Sequence, residues 1–329
     1  MRFTQRHFDP RAAGGEALKH GVVAYRAGAS PEDLYLYPQR TILAVNVALA
    51  TRRPLLIAGE PGSGKSTLAE NVAAVLGWSY YKQMITSRTR ATDLLYTFDS
   101  LRRLNHATTP GMDLKDDRYY IEPATLWWAF DPDTAAMRGH VTIPDEAQAR
   151  DPVMQRGEGD RAVVLLDEID KADPDVPNDL LEPFDLRSFT VAETGEAIPR
   201  YREARPGREA LLILTTNGER ELPPAFMRRC VTLTLDPPDA PWFVAIADKR
   251  YPDGDRRMHR AVANEVTRLR EEAKKKRLRP AGTGEYLDAL AACRELDVTT
   301  RHRAWDDVAQ SVLWKHDRTP MPPKPKAGE

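Results

Sequence analysis

Between Pro54 and Thr67 the chain reads Pro-Leu-Leu-Ile-Ala-Gly-Glu-Pro-Gly-Ser-Gly-Lys-Ser-Thr, and these residue types at this spacing are suited to holding phosphate. An apolar run, Leu55 to Ala58, stops at Gly59; Gly64-Lys65-Ser66 follows and leads into Leu68 to Leu76, apolar at helical spacing. Strand, loop and helix in that order are the context that the pattern GxxxxGK[ST] requires. Gly59, Gly62 and Gly64 let backbone amides turn inward with no Cβ in the way, forming a nest of N–H groups around phosphate oxygens. The helix that starts near Gly64 directs its partial positive end to the same place. Lys65 would reach the β- and γ-phosphates and the Ser66 hydroxyl would ligate Mg2+, with Glu60, Pro61, Ser63 and Thr67 completing the loop. The competing reading is a glycine-rich turn that binds nothing, and the complete pattern in its proper context argues against it.

A second stretch, Arg161 to Asp170, gives a strand of consecutive apolar residues followed by two carboxylates. Such a run reads as a central parallel strand buried on both faces, and ligands in open α/β sheets sit beyond the carboxyl ends of the strands. Asp167 would hold Mg2+ through its water shell, and Glu168 would orient and activate a water. A third apolar strand, Glu209 to Thr216, ends in Asn217, which can reach the γ-phosphate or the attacking water. An Asx turn ahead of Gly218 is the local alternative for Asn217. Leu222 to Val231 reads as a short helix ending in Arg228 and Arg229.

Those groups need a scaffold of some size. The chain has 329 residues, enough for one large domain and a smaller one. Lys and Arg number 48 against 49 Asp and Glu, so no whole-molecule field favours nucleic acid or a membrane. The first eight residues contain no apolar signal region, and the most apolar window, Thr41 to Ala50, is about half of what a membrane helix needs. A cytoplasmic protein is expected. Cys230 and Cys293 lack the spacing of a metal site or a disulfide framework and read as buried thiols.

In chain order, residues 1–30 are expected to be an N-terminal arm, in which only Glu16 to Tyr25 could form a short helix. Residues 31–236 would form the large α/β domain. Its expected elements include a helix over Arg40 to Ala50 and a strand over Ser79 to Ile85. A turn-rich segment follows over Asn105 to Arg118, then a helix over Ile121 to Phe130. Asp131 to Gly159 reads as an exposed insertion and Phe189 to Ile198 as a hairpin. Trp127-Trp128 could grip a substrate, but adjacent aromatics on a helix usually place at least one in the core. Pro237-Pro238 marks the exit to a helical domain, residues 237–316, with helices over His259 to Arg270, Gly284 to Leu296 and Trp305 to His316. The charged run Glu271 to Arg279 reads as a solvated helix end, and residues 317–329 as a flexible tail.

The order of these signals resembles that of AAA+ ATPases, and is similar in particular to their MoxR branch. The stretches that carry the likeness are the loop from Pro54 to Ser66, Asp167-Glu-Ile-Asp-Lys-Ala-Asp and Leu222-Pro-Pro-Ala-Phe-Met-Arg-Arg. The resemblance implies a P-loop α/β domain with a mostly parallel central sheet flanked by helices, followed by a small α-helical lid. It implies Mg2+-dependent ATP hydrolysis, with Asn217 as the first sensor. Arg229, or Arg228 beside it, would be the finger that reaches a neighbouring subunit's ATP. It implies a homo-oligomer, a hexameric ring, that remodels a protein partner such as one with a von Willebrand A domain. The second-sensor arginine common in the family is absent from Gly282-Thr-Gly-Glu-Tyr286, and Arg279 is the substitute at hand. Two other readings share the loop. One is the motor subunit of a nucleic-acid or defence complex, touching nucleic acid only through a partner. The other is a small-molecule kinase, which leaves Glu168, Asn217 and Arg229 without a purpose. Adenine and guanine are not distinguished by the loop.

Overall fold

The computed structural model describes residues 7–315, apart from 19–20, 29, 31–32, 112–113, 141, 143, 145–146 and 200–207. The expected tail therefore lies outside the described residues. The chain divides into two compact units: one of Met1–Val23, Tyr37–Ala58 and Ser66–Thr234, the other of Ala24–Leu36, Gly59–Lys65 and Leu235–Glu329.

The first unit is built on five parallel strands: β1 (Leu55–Ala58), β2 (Ser79–Met84), β3 (Arg161–Asp167), β4 (Glu209–Thr216) and β5 (Val231–Thr234). Their spatial order is β5-β1-β4-β3-β2. Residues Ala162 to Leu166 of β3 and Leu211 to Leu214 of β4 are all buried, as expected of strands covered on both faces. The register sets Leu214 opposite Leu166, Met84 opposite Asp167 and Thr216 opposite Ala58. The carboxyl ends of four neighbouring strands therefore finish level with one another. Helix α1 (Gln39–Thr51) packs on β1 and β5. Helix α2 (Lys65–Leu76) carries the fully buried Leu68, Ala69, Val72 and Ala73.

The insertions differ from what composition suggests. The segment read as turns, from Asn105, begins inside α3 (Ser100–Thr108), whose N-cap Asp99 accepts a hydrogen bond from the Arg102 amide at 2.8 Å. Short strands at Tyr96–Phe98 and Ile121–Pro123 pair antiparallel on either side of it in sequence. The expected helix from Ile121 is thus a strand first; the helix itself, α4 (Thr125–Phe130), is six residues long and all six are buried. Pro123 closes the strand, and a proline is tolerated there because the pair is at an edge. Trp127 is fully buried between Tyr96 and Phe189, with ring centroids 6.3 and 5.4 Å away, and Trp128 is 4% exposed, so both indoles belong to the core. Asp131 and Ala135 are also buried, so the stretch after Phe130 is not wholly an exposed insertion. Further along, α5 (Leu181–Leu186) precedes the expected hairpin, in which Phe189–Val191 pairs with Glu196–Ile198 around Gly195, at φ 69°. Helix α6 (Pro224–Arg229) follows β4. At the N-terminus, Glu16–Ala17 and Val23–Arg26 are short strands where a helix was expected, and Phe8 is fully buried, its amide donating to Asn46 Oδ1 at 3.0 Å.

Among the described residues after Leu235 the second unit contains four helices: α7 (Ala240–Arg250), α8 (Arg256–Lys275), α9 (Thr283–Glu295) and α10 (Trp305–Val312). Phe243, Val266, Leu269, Tyr286, Leu290 and Trp305 form its core. Helix α8 is longer than expected and runs through most of the charged stretch, because Glu, Lys and Arg are good helix formers and need no apolar face to continue one. No helix among the described residues is long and apolar enough to cross a membrane. Trp127→Ala should cost about 3–5 kcal/mol of stability, read as a lower midpoint in urea unfolding followed by tryptophan-independent circular dichroism.

Candidate functional site

Asp167 ends β3 almost without solvent, at 5% exposure, so its charge requires donors. The register supplies them. Thr215, one residue from the end of β4, donates its hydroxyl to Asp167 Oδ1 at 2.5 Å, and Ser66 on α2 donates to both carboxylate oxygens at 3.0 and 2.9 Å. Lys82 on β2 stands 3.6 Å from Oδ2. Thr215 works twice, since the same oxygen accepts the Glu168 amide at 2.8 Å.

Glu168 is the residue at which the strand breaks. Its backbone is left-handed, at φ 63° and ψ 51°, a region that costs a non-glycine residue about 1–3 kcal/mol and is kept only where surroundings enforce it. Its side chain is held on both oxygens: Asn217 Nδ2 donates to Oε1 at 2.9 Å and Lys171 Nζ to Oε2 at 2.7 Å. Glu168 in turn holds the Lys171 ammonium above its ordinary range. Asn217 is placed by Asp170, whose Oδ2 accepts the amides of Asn217 at 3.1 Å and Glu219 at 2.9 Å. These groups border a cavity of about 530 Å³ at the carboxyl ends of β2, β3 and β4, lined by Ile85, Thr86, Glu168, Asp170, Lys171 and Glu219 among others.

The loop that joins β1 to α2 belongs to the second unit as far as Lys65. Gly62 and Gly64 take φ values of 77° and 89°, which turn successive amides inward at no steric cost. Lys65 is 6% exposed, and its ammonium donates to the carbonyls of Gly59 at 2.8 Å and Glu60 at 3.0 Å. Ser63 Oγ is buried with no hydrogen-bond partner. A lysine bonded to loop carbonyls and a buried orphan hydroxyl are what a phosphate cradle leaves behind when its own oxygens have to serve. Thr67, in the first turn of α2, is exposed. The motif's last member, Ser66, belongs to the first unit and is the residue hydrogen bonded to Asp167.

The remaining expected residues are elsewhere. Arg229 bonds Asp185 on α5 through Nε at 2.8 Å, and both side chains are nearly half exposed. Arg228 is exposed and makes no ion pair among the described residues. Arg279 reaches Glu285 at 3.3 Å. Sequence reasoning missed Thr215, Lys171 and Asp170. Thr215 is only two residues before Asn217, and the parallel register that faces it toward Asp167 is the signal that could have exposed it.

Hydroxyl and carboxylate oxygens 2.9–3.0 Å apart form a hard donor set that suits Mg2+. Among the described residues no cluster of three or more acidic, His or Cys groups could hold a metal alone.

A parallel sheet, the phosphate-loop motif and an Asp-Glu pair at the end of β3 define a P-loop fold. The family model for the AAA domain of the dynein-related subfamily matches residues 54–230, and the chain belongs to that family. No curated protein matches the chain. Among solved structures, a RuvB mutant from Thermotoga maritima is similar at 14% identity and a TM-score of 0.36, over 78% of this chain and 68% of that one.

Thr215→Val keeps the shape of the side chain but leaves the Glu168 amide and one Asp167 oxygen short of a partner. It should destabilise the protein by about 1–3 kcal/mol, seen as a lower urea midpoint, whereas Thr215→Ser should stay near the wild type.

Proposed function

We propose that the chain is an ATPase that works as an oligomeric ring and remodels a protein partner, in the manner of the MoxR branch. The observation that carries the hydrolytic part is the hydrogen bonding of Ser66 to Asp167, with Glu168 in the next position held by Asn217. In this reading the amides of residues 59–65 and the Lys65 ammonium bind the phosphates. Ser66 and Asp167 would hold Mg2+, which when bound supplies charge neutralisation at the phosphates. Glu168 accepts the proton of the attacking water, and Asn217 fixes the carboxylate and so the direction in which it draws.

Each Glu168 oxygen accepts one hydrogen bond, from Asn217 or from Lys171, and keeps a further lone pair for a water. Arg229 serves the neighbouring subunit as a finger, with Arg228 beside it as the other candidate. Its partner Asp185 is an exposed acid, and an ion pair of that kind is worth only about 0–1 kcal/mol, so it yields to a triphosphate. Arg279 is the lid residue closest in sequence to the missing second sensor.

The remodelling part is supported by α3, none of whose residues is buried and which holds Leu101 and Leu104 at 68% and 57% exposure. An apolar pair kept in water on an insert of an ATPase body suits contact with a protein segment. The balanced charge of the chain supports this over a nucleic-acid motor, whose partner-borne contacts would make turnover respond to DNA or RNA with a steep salt dependence. ATP turnover that rises with nucleic acid and falls steeply with salt would move the assignment to that motor.

Glu168→Gln should bind ATP and turn over about 10²–10⁴ times more slowly in a phosphate-release assay, and Lys65→Ala should fail to bind. Arg229→Ala should lose roughly 10³–10⁵ in rate. Mixing the Arg229→Ala and Glu168→Gln proteins should restore turnover, since a subunit with an intact Glu168 then stands beside one with an intact Arg229. Full activity of Arg229→Ala by itself would remove the finger from this account.

A further inference from the structure

The second unit contains a connection to the phosphate loop that the motifs do not announce. Glu60, the second residue of the loop, turns its carboxylate to helix α8: Arg270 Nη2 donates to Oε2 at 2.6 Å, and Lys274 Nζ stands 3.1 Å from Oε1. Burial pushes the Glu60 carboxyl up, but the hydrogen bonds and charges of Lys274 and Arg270 outweigh it and hold the group below its ordinary value. Arg270 is 4% exposed and its other arm donates to the Ala281 carbonyl, so its guanidinium is fixed at both ends. The main chain of the same Glu60 accepts from Lys65 at 3.0 Å. One residue thus links a buried lid arginine to the phosphate-binding lysine. A separate contact holds the loop at its middle. Gly62 accepts from the Thr283 amide at 3.0 Å at the start of α9, and a Cβ added to Gly282 would lie 2.8 Å from the Gly62 Cα.

We infer that Arg270, acting through Glu60, is a positioning residue for the phosphate loop, so that the helical unit governs nucleotide affinity from the loop rather than from an arginine on the phosphates. Lys274 assists from the half-exposed side, and the Gly282–Gly62 backbone contact is the second point of the clamp. The physical reason is preorganisation. A nest of amides binds phosphate only when its successive peptides are already turned inward, and fixing the Glu60 side chain removes freedom that would otherwise be lost on binding. The inference rests on the nucleotide reading given above. At Gly282 itself a side chain longer than hydrogen has no room beside Gly62.

The test is the dissociation constant of N-methylanthraniloyl-ADP, measured by fluorescence on full-length protein whose fold is checked by circular dichroism. Glu60→Gln, which removes the charge and keeps the shape, should weaken binding roughly tenfold to a hundredfold, and Arg270→Gln by a similar factor. The double variant should be no weaker than either single one, because both changes break the same link. Arg270→Lys should recover part of the loss, and Gly282→Ala should weaken binding independently. If Arg270→Gln does not fold, Lys274→Ala replaces it. It should weaken binding a few-fold in the wild type and have no effect beside Glu60→Gln. Binding by Glu60→Gln within twofold of the wild type, or losses that add in the double variant, would overturn the inference. A wild-type protein that binds no nucleotide would instead overturn the ATPase reading.

Discussion

A buried negative charge at the end of a buried strand is the constraint around which the first unit is organised. At 5% exposure water does little to satisfy the Asp167 carboxylate, so the protein has to supply its donors. Its donors come from three separate elements: Ser66 from α2, Thr215 from β4 and Lys82 from β2. That is possible only if β3 lies between β4 and β2 and all three run parallel with their ends level, which is the order and register observed. Strand order and site chemistry are therefore one requirement. A one-residue slip of β4 against β3 would point Thr215 to the opposite face and leave Asp167 with one fewer donor.

The same constraint explains the left-handed backbone of Glu168. A continued strand would send the Glu168 side chain to the face opposite Asp167 and leave it beneath the sheet. Turning the chain at φ 63° brings the carboxylate to the strand end beside Asn217 and Lys171 instead. The cost of that conformation is offset locally, by the amide hydrogen bond to Thr215 and by Asp170, which anchors the backbone of Asn217 and Glu219 from below. Asp170 Oδ1 is left buried without a partner, so this arrangement is not fully satisfied and carries its own strain.

The motifs made the sheet and the acidic strand end legible, because both are local patterns. An apolar run long enough to be buried on two faces, followed by acids, says where a central strand ends without any knowledge of its neighbours. The hairpin at Phe189–Val191 and Glu196–Ile198 was readable for the same reason, from alternation around a glycine that takes φ 69°. What could not be read depended on pairing at a distance. Thr215 looks like one more strand residue until β4 is set against β3. The strands that bracket α3 are three residues each, too short to show a period, and they exist because each has the other to bond to. Glu16 to Tyr25 has the composition of a weak helix, yet the pairing of Val23–Arg26 within a small sheet overrides that preference. The charged stretch Glu271 to Arg279 was read as solvated, and for Lys275 that holds, at 69% exposure, while Lys274 is drawn to Glu60.

The lysine of the phosphate loop is satisfied within the loop itself. Lys65 gives its protons to the carbonyls of Gly59 and Glu60, two charge-assisted hydrogen bonds. This keeps a buried lysine from being an unpaired charge, which would cost several kcal/mol. The carbonyls of Gly59 and Glu60 thus stabilise the lysine's charge from the same residues that shape the loop.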